Sequence, residues 1–183
     1  MDRMAIFTIG YGKRTADELL DTLKRYGIDF VVDVRSSPYS SYKPEFSRDA
    51  IKVALSINGI RYVYMGDLLG GRPTDADCYI DGKVDYDRLK VTTPFQQGIA
   101  RLRSAWEQSL HVCLMCSEGR PEECHRSKLI GEVLNFEGIK VQHIDSEGTL
   151  RDQQSVLKII TDGQITLFDK SFTSSKRHRI DPT

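Results

Sequence analysis

Short apolar runs alternate with stretches of helical periodicity along this chain. Residues 6–9 read as a buried strand that ends at Gly10, Tyr11 and Gly12. Thr15 then stands where a helix N-cap is needed, and Glu18 follows at the capping-box spacing. Leu19, Leu20, Leu23 and Tyr26 recur at helical spacing, and Gly27 supplies the stop. Residues 30–34 are rich in β-branched side chains and predict a second strand. A loop with Pro38 and Pro44 follows, then a helix capped by Ser47 that runs to Asn58 and Gly59. Residues 61–65 predict a third strand. Residues 66–86 are polar and contain glycine, a loop long enough to be functional or mobile. Phe95, Ile99, Leu102 and Trp106 fall roughly on one face of a helix over 94–109. Strand 111–115, helix 122–136, strand 140–144 and helix 147–162 complete the alternation.

Strands alternating with helices predict βαβ units and parallel pairing, with right-handed crossovers placing helices on both faces. The expected fold is therefore α/β: a single three-layer domain over 1–162, with a mainly parallel sheet flanked by helices, Rossmann-like in plan. Residues 163–183 hold little core material and include a polar, basic run over 173–179, so they are expected to be a mobile tail.

The chain has 183 residues and 39% hydrophobic content, enough for one real core. Lys plus Arg and Asp plus Glu both number 26, so no global attraction to nucleic acid or membrane is implied, although a local basic patch remains open. No apolar run approaches the roughly 20 residues that span a bilayer, and no secretory leader is evident. The four cysteines, Cys78, Cys113, Cys116 and Cys124, are expected to be reduced thiols of a cytoplasmic protein.

The chemistry-bearing residues gather where strands end. Ligands bind there in open α/β sheets. The first strand delivers Gly10 and Tyr11, the second Asp33 and Arg35. The third is followed by Gly70, Gly71 and Arg72, the fourth by Cys116 and Glu118, with His125 and Arg126 on the next helix. Glycines at such an edge let a ligand approach backbone N–H groups. Arg35, Arg72 and Arg126 suit a phosphate or carboxylate, which guanidinium binds through two parallel hydrogen bonds. The positive end of a helix starting near Pro121 would add to that field. The alternative is that Asp33 and Arg35 pair with neighbours and only stabilise the sheet edge.

A thiol in such surroundings is favoured as thiolate. Cys116 is therefore a candidate nucleophile, with His125 or Asp33 as proton-transfer partner. Against this, cysteine is often just a small buried hydrophobe. Cys113 and Cys116 have CxxC spacing, but three residues apart on a strand they face opposite ways, so a zinc knuckle is not expected. No metal and no cofactor is assigned. Cys78 stands alone in the long loop. Tyr39, Tyr42 and Lys43 form an aromatic-polar loop that suits a stacked base and its phosphate. The plainer reading is a loop pinned by its own aromatics.

Several short motifs occur here in one order: Thr8 to Tyr11, Asp33 to Arg35 with Pro38, Leu69 to Arg72, Cys116 to Glu118, and Cys124 to Arg126. Together they resemble the bacterial and archaeal family known as domain of unknown function 488, over about residues 4–145. The resemblance implies that Asp33, Arg35, Gly70, Gly71, Arg72, Cys116, Glu118, Cys124, His125 and Arg126 are motif positions. It implies no settled reaction. Some members are labelled DNA repair proteins, a weak association. The family's first motif often carries a histidine and a serine where this chain has Tyr11 and Gly12.

Gln164, Leu167 and Phe168 resemble the short motif with which bacterial DNA-processing proteins bind the sliding clamp, a use suited to a flexible tail. The alternative is a last strand or patch folded onto the domain. The leading expectation is an enzyme acting on a phosphate-bearing substrate, nucleic acid or nucleotide preferred, as a thiol-dependent hydrolase or transferase. Asp33, Glu118 and His125 would handle protons. A non-catalytic binding module recruiting a nucleic-acid-processing partner is a second reading. A thiol-redox enzyme using Cys116 and Cys124 is a third.

Overall fold

A computed structural model describes residues 4–163 and 172–178. Gln164, Leu167 and Phe168, and with them the clamp-like motif, lie outside the described residues. The chain forms β1 (Ile6–Gly10), α1 (Ala16–Arg25), β2 (Phe30–Asp33), α2 (Arg48–Ile57), β3 (Arg61–Tyr64) and α3 (Gly66–Leu69). It continues with β4 (Tyr79–Ile80), β5 (Lys83–Val84), α4 (Tyr86–Lys90), α5 (Thr93–Glu107) and β6 (Val112–Cys116). A π-helical turn (Arg126–Gly131) runs into α6 (Glu132–Phe136), followed by β7 (Val141–Ile144), β8 (Leu150–Asp152) and α7 (Gln153–Ile160).

The main sheet has the order β3-β2-β6-β1-β7-β8. Its first five strands are parallel, and β8 pairs antiparallel with β7. This is the expected three-layer α/β arrangement. The strand order departs from the dinucleotide-binding plan, because β6 stands between β2 and β1, where that plan makes the first two strands neighbours.

Alternation along β6 shows how the layers form. Cys113 and Met115 join Leu19, Leu23, Ile51 and Leu55 of α1 and α2 on one face. Val112, Leu114 and Cys116 join Leu69, Phe95, Ile99 and Leu102 of α3 and α5 on the other. Each fully buried leucine among these contributes about 2 kcal/mol of apolar transfer. α1 begins as its sequence requires. The Glu18 N–H donates to Thr15 Oγ1 at 3.2 Å, and the Thr15 N–H donates to Glu18 Oε2 at 2.8 Å.

Four local expectations are corrected. Ser47 occupies the N-cap position of α2 without a side-chain capping bond. Its hydroxyl is engaged with the Ser40 backbone instead. The helix expected over 122–136 is broken at Cys124, whose backbone is extended (φ −112°, ψ 149°), and helical winding resumes only at Arg126. Ser127 Oγ, donating to the Pro121 carbonyl, is engaged across this break. Part of the helix expected over 147–162 is instead the edge strand β8, set up by a turn in which Asp145 Oδ1 accepts from the N–H groups of Glu147 and Thr149. Residues 172–178, placed by sequence in a mobile tail, pack on the domain. Thr173 bridges Asp85, and backbone bonds run from Tyr86 to Phe172, from Ser174 to Val84 and from His178 to Gly82. Residues 172–178 run along the β4–β5 hairpin, using N–H and C=O groups that would otherwise need water. Among the described residues, no helix is long and apolar enough to cross a membrane.

Candidate active site

A cavity of about 320 Å³ opens at the carboxyl ends of β1, β2 and β6. Its wall includes Tyr11, Arg35, Gly71 and Arg72 from the strand ends and loops expected there. Cys116, Glu118, Cys124 and His125 also line it. Ser36, just after the second strand, lines it too; sequence reasoning missed Tyr86 and the wall built by Ser174, Ser175, Lys176 and His178. The last group carries no local motif; only pairing with the β4–β5 hairpin brings it here.

Arg35 is 5% exposed and held by Asp33. Its Nε and Nη2 donate to Asp33 Oδ1 and Oδ2 at 2.8 and 2.6 Å. Asp33 also accepts from the Arg35 N–H at 3.1 Å and from the Tyr62 hydroxyl at 2.7 Å. With four donors the carboxylate is fully occupied, so Asp33 orients Arg35 rather than accepting a substrate proton. Burial opposes the guanidinium charge, but the bonds and charge of Asp33 outweigh it and raise the Arg35 pKa. Arg35 Nη1 is buried without a hydrogen bond among the described residues.

Arg126 is used differently. It is fully buried, with Nη1 donating to Thr8 Oγ1 at 3.1 Å, Nη2 to the Glu118 carbonyl at 2.6 Å and Nε to Cys124 Sγ at 3.2 Å. It faces the protein and not the cavity. Gly10, also expected to admit a ligand, instead admits the loop after β6. A Cβ there would lie 1.6 Å from the Glu118 carbonyl oxygen. Gly71 lies against His125, where a Cβ would come within 3.0 Å of the ring. Gly70 packs on Gly66 and Ser36 behind the wall.

The two sulfurs and the imidazole form the base. Cys116 Sγ, Cys124 Sγ and a His125 ring nitrogen all lie within 4.8 Å of one another. His125 Nε2 donates to the Val34 carbonyl at 3.1 Å, which turns Nδ1 toward Cys124 Sγ at 3.6 Å and Cys116 Sγ at 3.9 Å. Glu118 Oε2 lies 3.1 Å from Cys116 Sγ and 3.1 Å from Ser117 Oγ. Burial opposes charge at Cys124, but the Cys116 hydrogen bond and the charges of Arg126 and His125 hold its thiol well below the ordinary range. The hydrogen bond to Cys124, burial and the charges of Cys124 and Glu118 push Cys116 well above it. Burial opposes charge on His125 too, yet the Cys124 thiolate raises its pKa. The charge of Arg126 favours the thiolate at both cysteines, and its Nε lies 3.2 Å from Cys124 Sγ. Cys113 faces the opposite core, where burial pushes its thiol up to about 12.

The aromatic loop is pinned by its own aromatics, Lys43 Nζ donates to the Arg14 carbonyl at 2.7 Å, and Tyr42 does not line the cavity. Phe46 is fully buried and stacks on Tyr11 with ring centroids 4.1 Å apart, which pins the loop. Tyr39 is 74% exposed and stands at the cavity mouth.

A sequence profile described as domain of unknown function DUF488 matches residues 15–133. The chain belongs to the DUF488 family. The matched span of this DUF488 protein includes Asp33, Arg35, Gly71, Arg72, Cys116, Glu118, Cys124, His125 and Arg126, so the family's sequence supplies most of the cavity. β1 and the segment 172–178 lie outside the match. No curated protein and no solved structure matches the chain.

Proposed function

We propose that this DUF488 protein is an enzyme that binds a phosphate-bearing substrate, a nucleotide or the end of a nucleic acid, with hydrolase or transferase chemistry at the sulfur cluster. The observation that carries the reading is Arg35 Nη1. A buried guanidinium N–H without a partner costs on the order of 1–3 kcal/mol or more, because the group is charged. An anion entering the cavity removes that cost. Arg72 and Lys176 add positive charge to the same wall. Asp33 positions Arg35, while Cys116, Cys124, Glu118 and His125 supply the reacting end. Arg126 acts through Cys124.

Tyr39 favours a substrate with a base, because an exposed ring at a phosphate site offers a stacking platform. The clamp-like Gln164, Leu167 and Phe168 support a role near DNA, including repair, from sequence alone. Paired thiols at a working site suit a reducing cytoplasm.

The test is calorimetric titration with inorganic phosphate and nucleoside monophosphates, followed by a turnover screen on phosphorylated nucleosides and oligonucleotides. In Arg35→Lys a single ammonium pairs with Asp33 and leaves nothing for the cavity. Affinity should fall roughly tenfold or more, the equivalent of about 1.4 kcal/mol. A wild-type protein that binds none of these ligands, or an Arg35→Lys variant that binds them equally, would sink the proposal.

A further inference from the structure

We infer that Cys116, Cys124 and His125 form a zinc site with three protein ligands and a fourth position open to the cavity. This deepens the proposed role of the sulfur cluster and stands apart from the Arg35 atoms that carry the anion-binding reading. Two sulfurs and an imidazole nitrogen are the ligand types that zinc prefers, and three protein ligands with one open position mark its catalytic sites.

The distances fit. Zn–S bonds of about 2.3 Å and Zn–N bonds of about 2.0–2.1 Å in a tetrahedron separate sulfur from nitrogen by roughly 3.5 Å. Cys124 Sγ and Cys116 Sγ lie 3.6 and 3.9 Å from His125 Nδ1. All three donor atoms lie within 4.8 Å of one another.

The surroundings of the donors fit as well. A metal-binding histidine usually donates its other ring N–H to a carbonyl or carboxylate, which fixes the ring. His125 Nε2 does so to Val34, and Nδ1 therefore faces the sulfurs. The Arg126 backbone N–H and Nε point at Cys124 Sγ from 3.5 and 3.2 Å, as outer-shell donors to a metal thiolate do. All three ligand residues line the cavity, so the remaining position opens to it. Glu118 flanks that position, with Oε2 3.1 Å from Cys116 Sγ and 3.9 Å from Cys124 Sγ.

The local break in the helix makes the cluster. Because Cys124 is extended, its side chain turns back to β6 instead of along a helix surface. The CxxC pair of the sequence is not the ligand pair. Cys113 lies in the opposite core.

The test uses the full chain, purified reduced and without chelator after growth in zinc-supplemented medium. Metal content is read by plasma mass spectrometry, and zinc is then replaced by cobalt for absorption spectroscopy. We expect one zinc per chain and a sulfur-to-cobalt charge-transfer band with tetrahedral visible absorption. Cys116→Ser, Cys124→Ser and His125→Asn should each lose metal by more than the roughly 10–100-fold that an outer-shell change removes. Cys113→Ala should keep it. Folded, reduced wild-type protein that retains no zinc and shows no sulfur-to-cobalt band overturns the site. So does zinc retained by the folded Cys116→Ser and Cys124→Ser variants. If those variants fail to fold, the wild-type cobalt spectrum and His125→Asn decide. Phosphate binding is measured apart: zinc without phosphate affinity leaves this site and removes the Arg35 reading, and the converse removes this site alone.

Discussion

Two buried polar groups meet near the carboxyl edge of the sheet and are built on opposite plans. Around Arg126, every partner is supplied by the protein. Arg126 donates to Thr8, whose hydroxyl is bonded to His143 Nδ1 at 2.8 Å. His143 Nε2 donates to Gln153 Oε1 at 2.6 Å, and Gln153 Nε2 donates to the Ser127 carbonyl at 2.9 Å. This chain ties β1, β7, α7 and the π-helical turn together. Around Arg35, the same residue type is locked just as firmly by Asp33 and lines the cavity, but its Nη1 has no hydrogen-bond partner among the described residues. A satisfied buried network specifies architecture, whereas an unsatisfied one stores a preference for a ligand.

The largest effect should come from breaking the satisfied network. Arg126→Met leaves the Glu118 carbonyl and Thr8 without their donor and the Cys124 sulfur without its charge partner. Loss of one member of such a buried set costs roughly 3–5 kcal/mol, to be read as a lower urea midpoint at neutral pH. A loss below 1 kcal/mol would mean that the network is slack.

The pH dependence of stability should report the same network through His143. Burial is the main cause that lowers its pKa to about 4, so the folded protein holds it neutral. Above the unfolded value of about 6.5 neither state takes the proton, and the contribution is fully present. As pH falls from 6.5 toward 4 the unfolded chain binds a proton that the folded chain refuses, and about 3 kcal/mol of stability is lost. Urea titrations across that window should show the slope in the wild type. His143→Gln should flatten it by about one proton; an equal slope in both proteins would assign it elsewhere.

At Arg35 the effect should move from stability to binding. Arg35→Lys keeps a charge beside Asp33, so its roughly tenfold loss of phosphate affinity should exceed any change that Arg126→Met causes per folded molecule. Equal effects of the two variants on affinity would erase the distinction between them. The smallest change belongs to Lys176. It is 72% exposed and 3.8 Å from Glu118. Lys176→Ala should shift thermal stability by less than about 0.5 kcal/mol.

Much of the fold was legible because it rests on local rules. The Thr15 and Glu18 capping box, the strand at 30–33 and the apolar face of α5 all follow from spacing alone. The site was legible as a set of residues, since strand ends in a parallel sheet share one edge. Their division of labour was not. Nothing in a one-dimensional pattern distinguishes Arg35 from Arg126, because the side on which a guanidinium finds its partners depends on strands far apart in the chain. Cys116 and Cys124 are another such pair, separated by whether Arg126 or Glu118 is the nearer charge.

The sequence by itself therefore determined the alternation of strands and helices and the opposed faces of Cys113 and Cys116. Backbone periodicity and capping act within a few residues, which is why these features follow from it. Only the tertiary structure decided that β6 lies between β1 and β2, that the chain breaks at Cys124, that Arg126 turns inward and that residues 172–178 close one wall. Most of these depend on hydrogen bonds between distant segments, and such bonds reach 135 residues along the chain between Thr8 and His143. Such bonds form only once the apolar core has brought those segments out of water.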